Sequence, residues 1–163
     1  MIDIAKNPKL FTFLQDCPPK AGLIRDDGLM AVSRESDATL DLLVIDAFNS
    51  DAIPVHLVTL EAFILYQKKI TQQGVILVNI SNRHVRLLPI LTAAGRRLDI
   101  IVLDKQQAGN EQLGQLASEW VLLTNNEDLV DHLLLKEGWR FVADLESRLW
   151  TNDYSNLLPV LKW

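Results

Sequence analysis

A chain of 163 residues, 48% of them hydrophobic, has the length of one domain and enough apolar side chain to bury a core, so no independent second domain is expected. Its 16 basic against 21 acidic residues, a net charge of −5, exclude the clustered cationic footprint that nucleic-acid phosphates need. Cys17 is the single cysteine, which excludes an internal disulfide, and no apolar run reaches the roughly 18 residues of a membrane span. The polar start, with Asp3, Lys6 and Lys9, does not match a secretory leader, and the expectation is a soluble cytoplasmic chain with no membrane or nucleic-acid partner.

Residues 1–5 read as the tail of a helix that Asn7-Pro8 stops, since proline restricts the residue before it. Phe11, Phe13 and Leu14 form an apolar patch, Pro18-Pro19 a loop, and residues 21–24 a short strand ending at Asp26-Asp27-Gly28. A helix or turn begins at Leu29 and reaches Arg34. The apolar run 42–45 is read as the central strand, and it delivers Asp46 and then Asp51 into a loop. The helix that follows has apolar positions Leu60, Phe63, Ile64 and Ile70, after which Gly74 opens a second apolar run, 75–80. Strand, acidic loop, helix, strand is the grammar of a parallel three-layer α/β sheet, whose chemistry lies in loops at the carboxyl ends of its strands.

Residues 85–98 are expected to be helical, with Leu87, Leu88, Leu91 and Leu98 inward and Pro89 bending the first turns. A strand at 99–103, a mobile polar loop at 105–114 and a strand at 120–123 come next. Thr124 to Glu127 fits a capping box, with Thr124 on an early backbone N–H. The helix it opens packs Leu129, Val130, Leu133 and Leu134 and stops near Gly138, and residues 140–142 follow as an edge strand. Lys68-Lys69 and Arg96-Arg97 read as solvated helix ends, and the four tryptophans as core or interface anchors. His84 and His132 have no companions at metal-ligand spacing, so no metal site is expected.

Several ordered motifs carry a resemblance: D-A-F-N-S-D-A-I-P-V-H-L at 46–57 followed by T-x-E-A-F, S-N-R at 81–83, T-N-D-Y-S-N-L-L at 151–158, and also F-T-F-L-Q-D at 11–16 and D-D-G at 26–28. Together they resemble the spermidine synthase-like family over nearly the whole chain, and most of all its bacterial branch in which the domain is often fused to a transporter. The resemblance implies a Rossmann-like, class I methyltransferase-like, mostly parallel sheet, with residues 140–142 antiparallel beside the other strands. In such a fold a strand, a glycine-rich turn, a helix and a second strand ending in an acid come first and hold the cofactor. Here residues 1–5 align inside the helix after that second strand, and none of the seven glycines forms G-x-G. The chain therefore reads as a single truncated domain, 1–163, lacking the first two strands and half of the cofactor cradle.

The implied activity is aminopropyl transfer from decarboxylated S-adenosylmethionine to a polyamine amine, with S-adenosylmethionine itself as the co-substrate if the chain is methyltransferase-like. The attacking amine must be neutral although its pKa is about 10, and a carboxylate within reach can accept the proton. Asp46 matches the family's position for that base, and Asp51 resembles the acid that holds the other amine. The motif departs from the D-S-S-D-P of typical spermidine synthases by a longer spacing. Asp27 resembles an acceptor for the adenine amino group, with Gly28 permitting a tight turn, and Tyr154 a residue folding back near the active site. Each has a structural alternative: Asp46 as a strand-end turn former, Asp51 as an ordinary loop residue, D-G as a common turn dipeptide, and Tyr154 as surface packing. His56 is read as structural.

Missing central strands would leave unpaired backbone groups at roughly 1–3 kcal/mol each. The chain could meet this by pairing the 21–24 strand directly with the 42–45 strand, by borrowing edges from a second copy, or by being longer than the sequence given. A homo-oligomer joined at the exposed sheet is expected. The rival to the enzyme reading is a non-catalytic homo-oligomeric or partner-binding protein of the same ancestry.

Overall fold

The computed structural model describes residues 2–16, 22–47, 54–142 and 149–162. Two one-turn helices, α1 (Ile2–Ala5) and α2 (Phe13–Asp16), precede α3 (Gly28–Arg34). Strand β1 (Leu40–Ile45) and a 3-10 turn at Val55–Leu57 lead to α4 (Leu60–Lys69), which runs without a break into β2 (Ile70–Asn79). The order continues with α5 (Leu88–Leu98), β3 (Ile101–Gln107), β4 (Ser118–Thr124), α6 (Glu127–Lys136) and the two-residue β5 (Arg140–Phe141). Among the described residues no helix is long and apolar enough to cross a membrane.

The strands make one sheet in the order β1-β2-β4-β3-β5. β1 and β2 pair in parallel, while β4 is antiparallel to both β2 and β3, and β5 is antiparallel to β3. Three strands, β1, β2 and β3, thus share one direction. The crossover through α5 carries the chain past one open slot beside β2, and β4 returns to fill it. The expected edge strand at 140–142 is found as β5, antiparallel on β3.

Alternation along the strands separates two apolar layers. Leu43, Ile45, Ile76, Val78, Val121 and Leu123 face Ala62, Phe63 and Tyr66 of α4 and Ile90, Leu91 and Ala94 of α5, with Leu29 and Val32 of α3 at the rim. On the other face Val75, Leu77, Leu103 and Leu122 pack against Leu129, Val130, Leu133 and Leu134 of α6. β2 is covered on both sides, which is why its sequence reads as a continuous apolar run. Phe63 and Tyr66 meet edge to face, with ring centroids 5.6 Å apart.

Several expectations are corrected. Residues 22–25 form no strand; Leu23 and Ile24 are exposed and Arg25 instead pairs with Asp3 at 2.9 Å. β1 is consequently an edge strand among the described residues. Pro89 opens α5 at its first turn rather than bending it, because its missing N–H is an orphan there in any case. Thr124 does not cap α6: it is the last residue of β4, where its hydroxyl donates to the Gly74 carbonyl at 2.9 Å, and Asn126 takes the cap by accepting from the Leu129 N–H at 3.0 Å. Residues 105–107 are not loop but extend β3 against 118–120. Ile64 faces outward and Ile70 starts β2. Lys69 is buried, its ammonium donating to the Glu35 carbonyl at 2.5 Å and to Asp37 at 2.9 Å.

Gly74 earns its place through register. Leu40 pairs with Ile70 but Leu42 with Val75, so two steps along β1 answer five along β2, and the excess is folded into a bulge. A Cβ on Gly74 would lie 2.8 Å from Ile70 Cβ and 2.9 Å from the Leu40 carbonyl oxygen.

Candidate functional site

The carboxyl end of β1 delivers Asp46 to the surface, and the carboxyl end of β2 delivers Asn79 beside it. The Asn79 amide donates to Asp46 Oδ1 at 2.9 Å, and Asn79 Oδ1 accepts from the Ser81 N–H at 3.0 Å. Parallel pairing makes this possible, since it brings both strand ends out on one edge. Asp46 is thus exposed, oriented by one amide, and retains acceptor capacity for a ligand proton. Asp51 lies outside the described residues.

Asp27 sits one residue before α3 and caps it. Its Oδ1 accepts from the Leu29 and Met30 N–H groups at 2.9 and 3.2 Å, and its Oδ2 lies 2.9 Å from His56 Nε2. The Met30 N–H chiefly, and His56 after it, hold this carboxyl below the usual carboxylate range, against a partial desolvation. Gly28, the first helical residue, has a free space where a Cβ would stand and no positive φ, so no tight turn demands glycine here. Next to it Asp26 is held low mainly by Arg34, with which it forms an ion pair.

His56 belongs to the 3-10 turn that leads into α4, and the segment carrying Tyr154 converges on the same place. Thr59, the N-cap of α4, donates its hydroxyl to Asn152 Oδ1 at 3.0 Å; the Asn152 N–H donates to Glu61 at 3.0 Å, and the Leu60 N–H to the Trp150 carbonyl at 2.8 Å. Trp150 is fully buried beneath, and Thr151 and Tyr154 close a tight turn by exchanging backbone hydrogen bonds. Tyr154 is partly exposed at that turn. Beneath the same stretch the Tyr66 hydroxyl donates to the Leu57 carbonyl at 3.2 Å, and burial pushes its pKa up.

The stretch from His56 to Glu61 thus contacts Asp27 through His56 and the turn that carries Tyr154 through Asn152, while Asp46 follows the end of β1. Sequence reasoning missed Asn79, which orients Asp46, and Asn152, which anchors the terminal turn. The first was detectable as a polar residue closing an otherwise apolar run.

A concavity opens on the same edge of the sheet, past Ser81. It has a volume of about 990 Å³ and is lined by residues after β2 and β3 and at the starts of β4 and β5, among them Arg83, Arg140 and Lys162.

No protein-family model and no curated protein matches the chain. Solved structures do. A probable spermidine synthase from Corynebacterium glutamicum superposes with a TM-score of 0.53 at 15% identity, over 77% of this chain and 50% of that one. The spermidine synthase from Thermotoga maritima gives 0.52 at 15% identity, over 91% of this chain and 49% of its own. At that identity the likeness concerns architecture: the chain has a spermidine synthase-like, Rossmann-like α/β fold and spans about half the length of the enzymes it matches.

Proposed function

We propose that the chain is one part of a spermidine synthase-like transferase domain, with Asp46 as the group that accepts a proton from an attacking amine. The observation that carries this reading is Asp46 itself, held by Asn79 at the carboxyl edge of the parallel pair and left with free acceptor capacity. Asp51 is assigned to the second amine of a polyamine and Tyr154 to the wall of the same site, both on the strength of the sequence motif. The kinship with the transporter-fused branch likewise rests on motif alone.

The described residues do not by themselves fit an S-adenosylmethionine-type co-substrate. Asp27, the adenine acceptor of the motif, already uses one oxygen on two backbone N–H groups and the other on His56. Gly28 offers helix rather than a backbone cradle. On this reading the isolated chain is inactive, and its Asp46 works only when a further polypeptide completes the site, a second copy or a segment carrying the cradle. The bare edge of β1, with Leu42 and Val44 exposed, favours such an assembly and also supports the alternative of a non-catalytic oligomer.

Calorimetric titration with 5′-methylthioadenosine on a sample of known oligomeric state tests this. No binding by the monomer, with binding and aminopropyl transfer in an assembly and loss of transfer alone in Asp46→Asn, is the expected pattern. Transfer that persists in Asp46→Asn would refute the role given to Asp46.

A further inference from the structure

We infer that the cleft beyond Ser81 is a binding site for a small phosphate-bearing ligand, distinct from the Asp46 site. The chain carries an acidic excess, yet this cleft is lined by three cations, Arg83, Arg140 and Lys162, against one acid, Glu119. That acid is already engaged, accepting from Gln106 at 3.0 Å. The contrast is local and its three cations come from three separate segments, so it is made by the fold and not by a basic run in the sequence.

Two of the cations are fixed in place. Asp104 is buried in β3 and holds Arg140 at 2.5 Å, while the guanidinium itself stays mostly exposed. Only one of its N–H groups is used there, and the remaining donors of the planar fork suit a phosphate. The Lys162 ammonium donates to the Asn82 carbonyl at 2.6 Å, which pins the terminal segment across the cleft and leaves two of its three N–H donors. Arg83 forms no ion pair among the described residues and is exposed. Ser118 and the amide of Gln107 add neutral donors around the same space.

A volume near 990 Å³ greatly exceeds a lone phosphate, so the ligand has an organic part as well. A free polyamine would meet a lining in which cations outnumber the acid. An extended nucleic acid would meet the repulsion of the whole acidic chain. The class that remains is a phosphorylated metabolite of small size.

The test is calorimetric titration with inorganic pyrophosphate at low salt, with citrate and spermidine as controls, on wild type, Arg83→Gln and Arg140→Lys. Arg83 makes no ion pair among the described residues, and lysine at 140 keeps a positive partner for Asp104, so both variants should unfold at the wild-type temperature. Pyrophosphate is expected to bind, each substitution to weaken it about tenfold or more, and raised salt to weaken it further. Folded wild type showing no binding at about 10 mM would overturn the proposal, as would equal affinities in wild type and both variants, or citrate or spermidine binding better than pyrophosphate. Because no thioadenosine or amine transfer is measured, failure here leaves the Asp46 reading untouched, and failure of that reading leaves this one standing.

Discussion

The two faces of β1 differ sharply in what covers them. One face sends Leu43 and Ile45 into the core under α4 and α5; the other leaves Leu42 55% and Val44 48% exposed, on an edge with no neighbouring strand among the described residues. One six-residue strand therefore serves as finished core on one side and as open surface on the other. The difference teaches where this sheet is self-sufficient: stability comes from the α4–α5 side, while the β1 edge is an invitation to pairing.

The sharpest way to break the contrast is to delete side chains from each face. Phe63→Ala, at a fully buried position on the covered side, should cost about 3–5 kcal/mol in urea unfolding, whereas Leu42→Ala should fall within about 0.5 kcal/mol for a monomer. A large cost for Leu42→Ala that depends on protein concentration would instead mean that a second copy covers this face. Val44→Lys should then separate stability from assembly. It is expected to leave the unfolding midpoint of the monomer unchanged and to shift light scattering toward the smaller species.

A step smaller is Gly74→Ala. The new methyl group meets backbone, the Leu40 carbonyl oxygen at 2.9 Å, so it cannot be relieved by a rotamer change and should cost about 1–3 kcal/mol. The damage should concentrate at the β1–β2 bulge, visible as faster amide exchange along β1 than along β4. Thr59→Ala removes the cap of α4 together with the tether to Asn152. A loss of about 1–2 kcal/mol is expected, with Trp150 fluorescence reporting whether the terminal turn lets go at the same time.

How much of this was legible follows from what kind of interaction fixes each element. β2 announces itself because its apolar run is also its burial pattern, while β1, α4 and α6 are legible from apolar runs of which the structure buries only part. Residues 22–25 carry an equally apolar pair but have no ladder to join, and no local signal separates the two cases. Thr124 misled because a capping box looks the same whether its threonine faces a helix or, as here, a carbonyl fifty residues away. Lys69 read as solvent-facing because its partners, Glu35 and Asp37, come from the far side of β1. Asp46, the base of the proposed site, was legible as an acid closing an apolar run, while the cationic cleft was not, since Arg83, Arg140 and Lys162 come to one cleft through the placement of β4 between β2 and β3.

The mildest probe of the contrast is pH, because three depressed aspartates lie around α3, beside the covered face. Asp26, Asp27 and Asp37, at the start of α3 and just after it, are all held below the usual carboxylate range: Asp26 mainly by Arg34, Asp27 mainly by the Met30 N–H, and Asp37 mainly by Lys69. A depressed folded-state pKa stabilises above the unfolded value, about 3.9 for aspartate, and that contribution is lost as pH falls through the lowered values. Between pH 5 and 8 these three groups should therefore leave stability flat, and below about pH 4 it should decline. In Asp27→Ala the stability difference from wild type should shrink below about pH 4, since the wild type is then losing what the variant lacks. α3 should loosen first, uncovering Leu29 and Val32 at the rim of the α4–α5 layer, so a hydrophobic dye should begin to bind before the sheet unfolds. A difference that instead grows on acidification would mean that Asp27 is not the depressed carboxylate its cap and His56 make it.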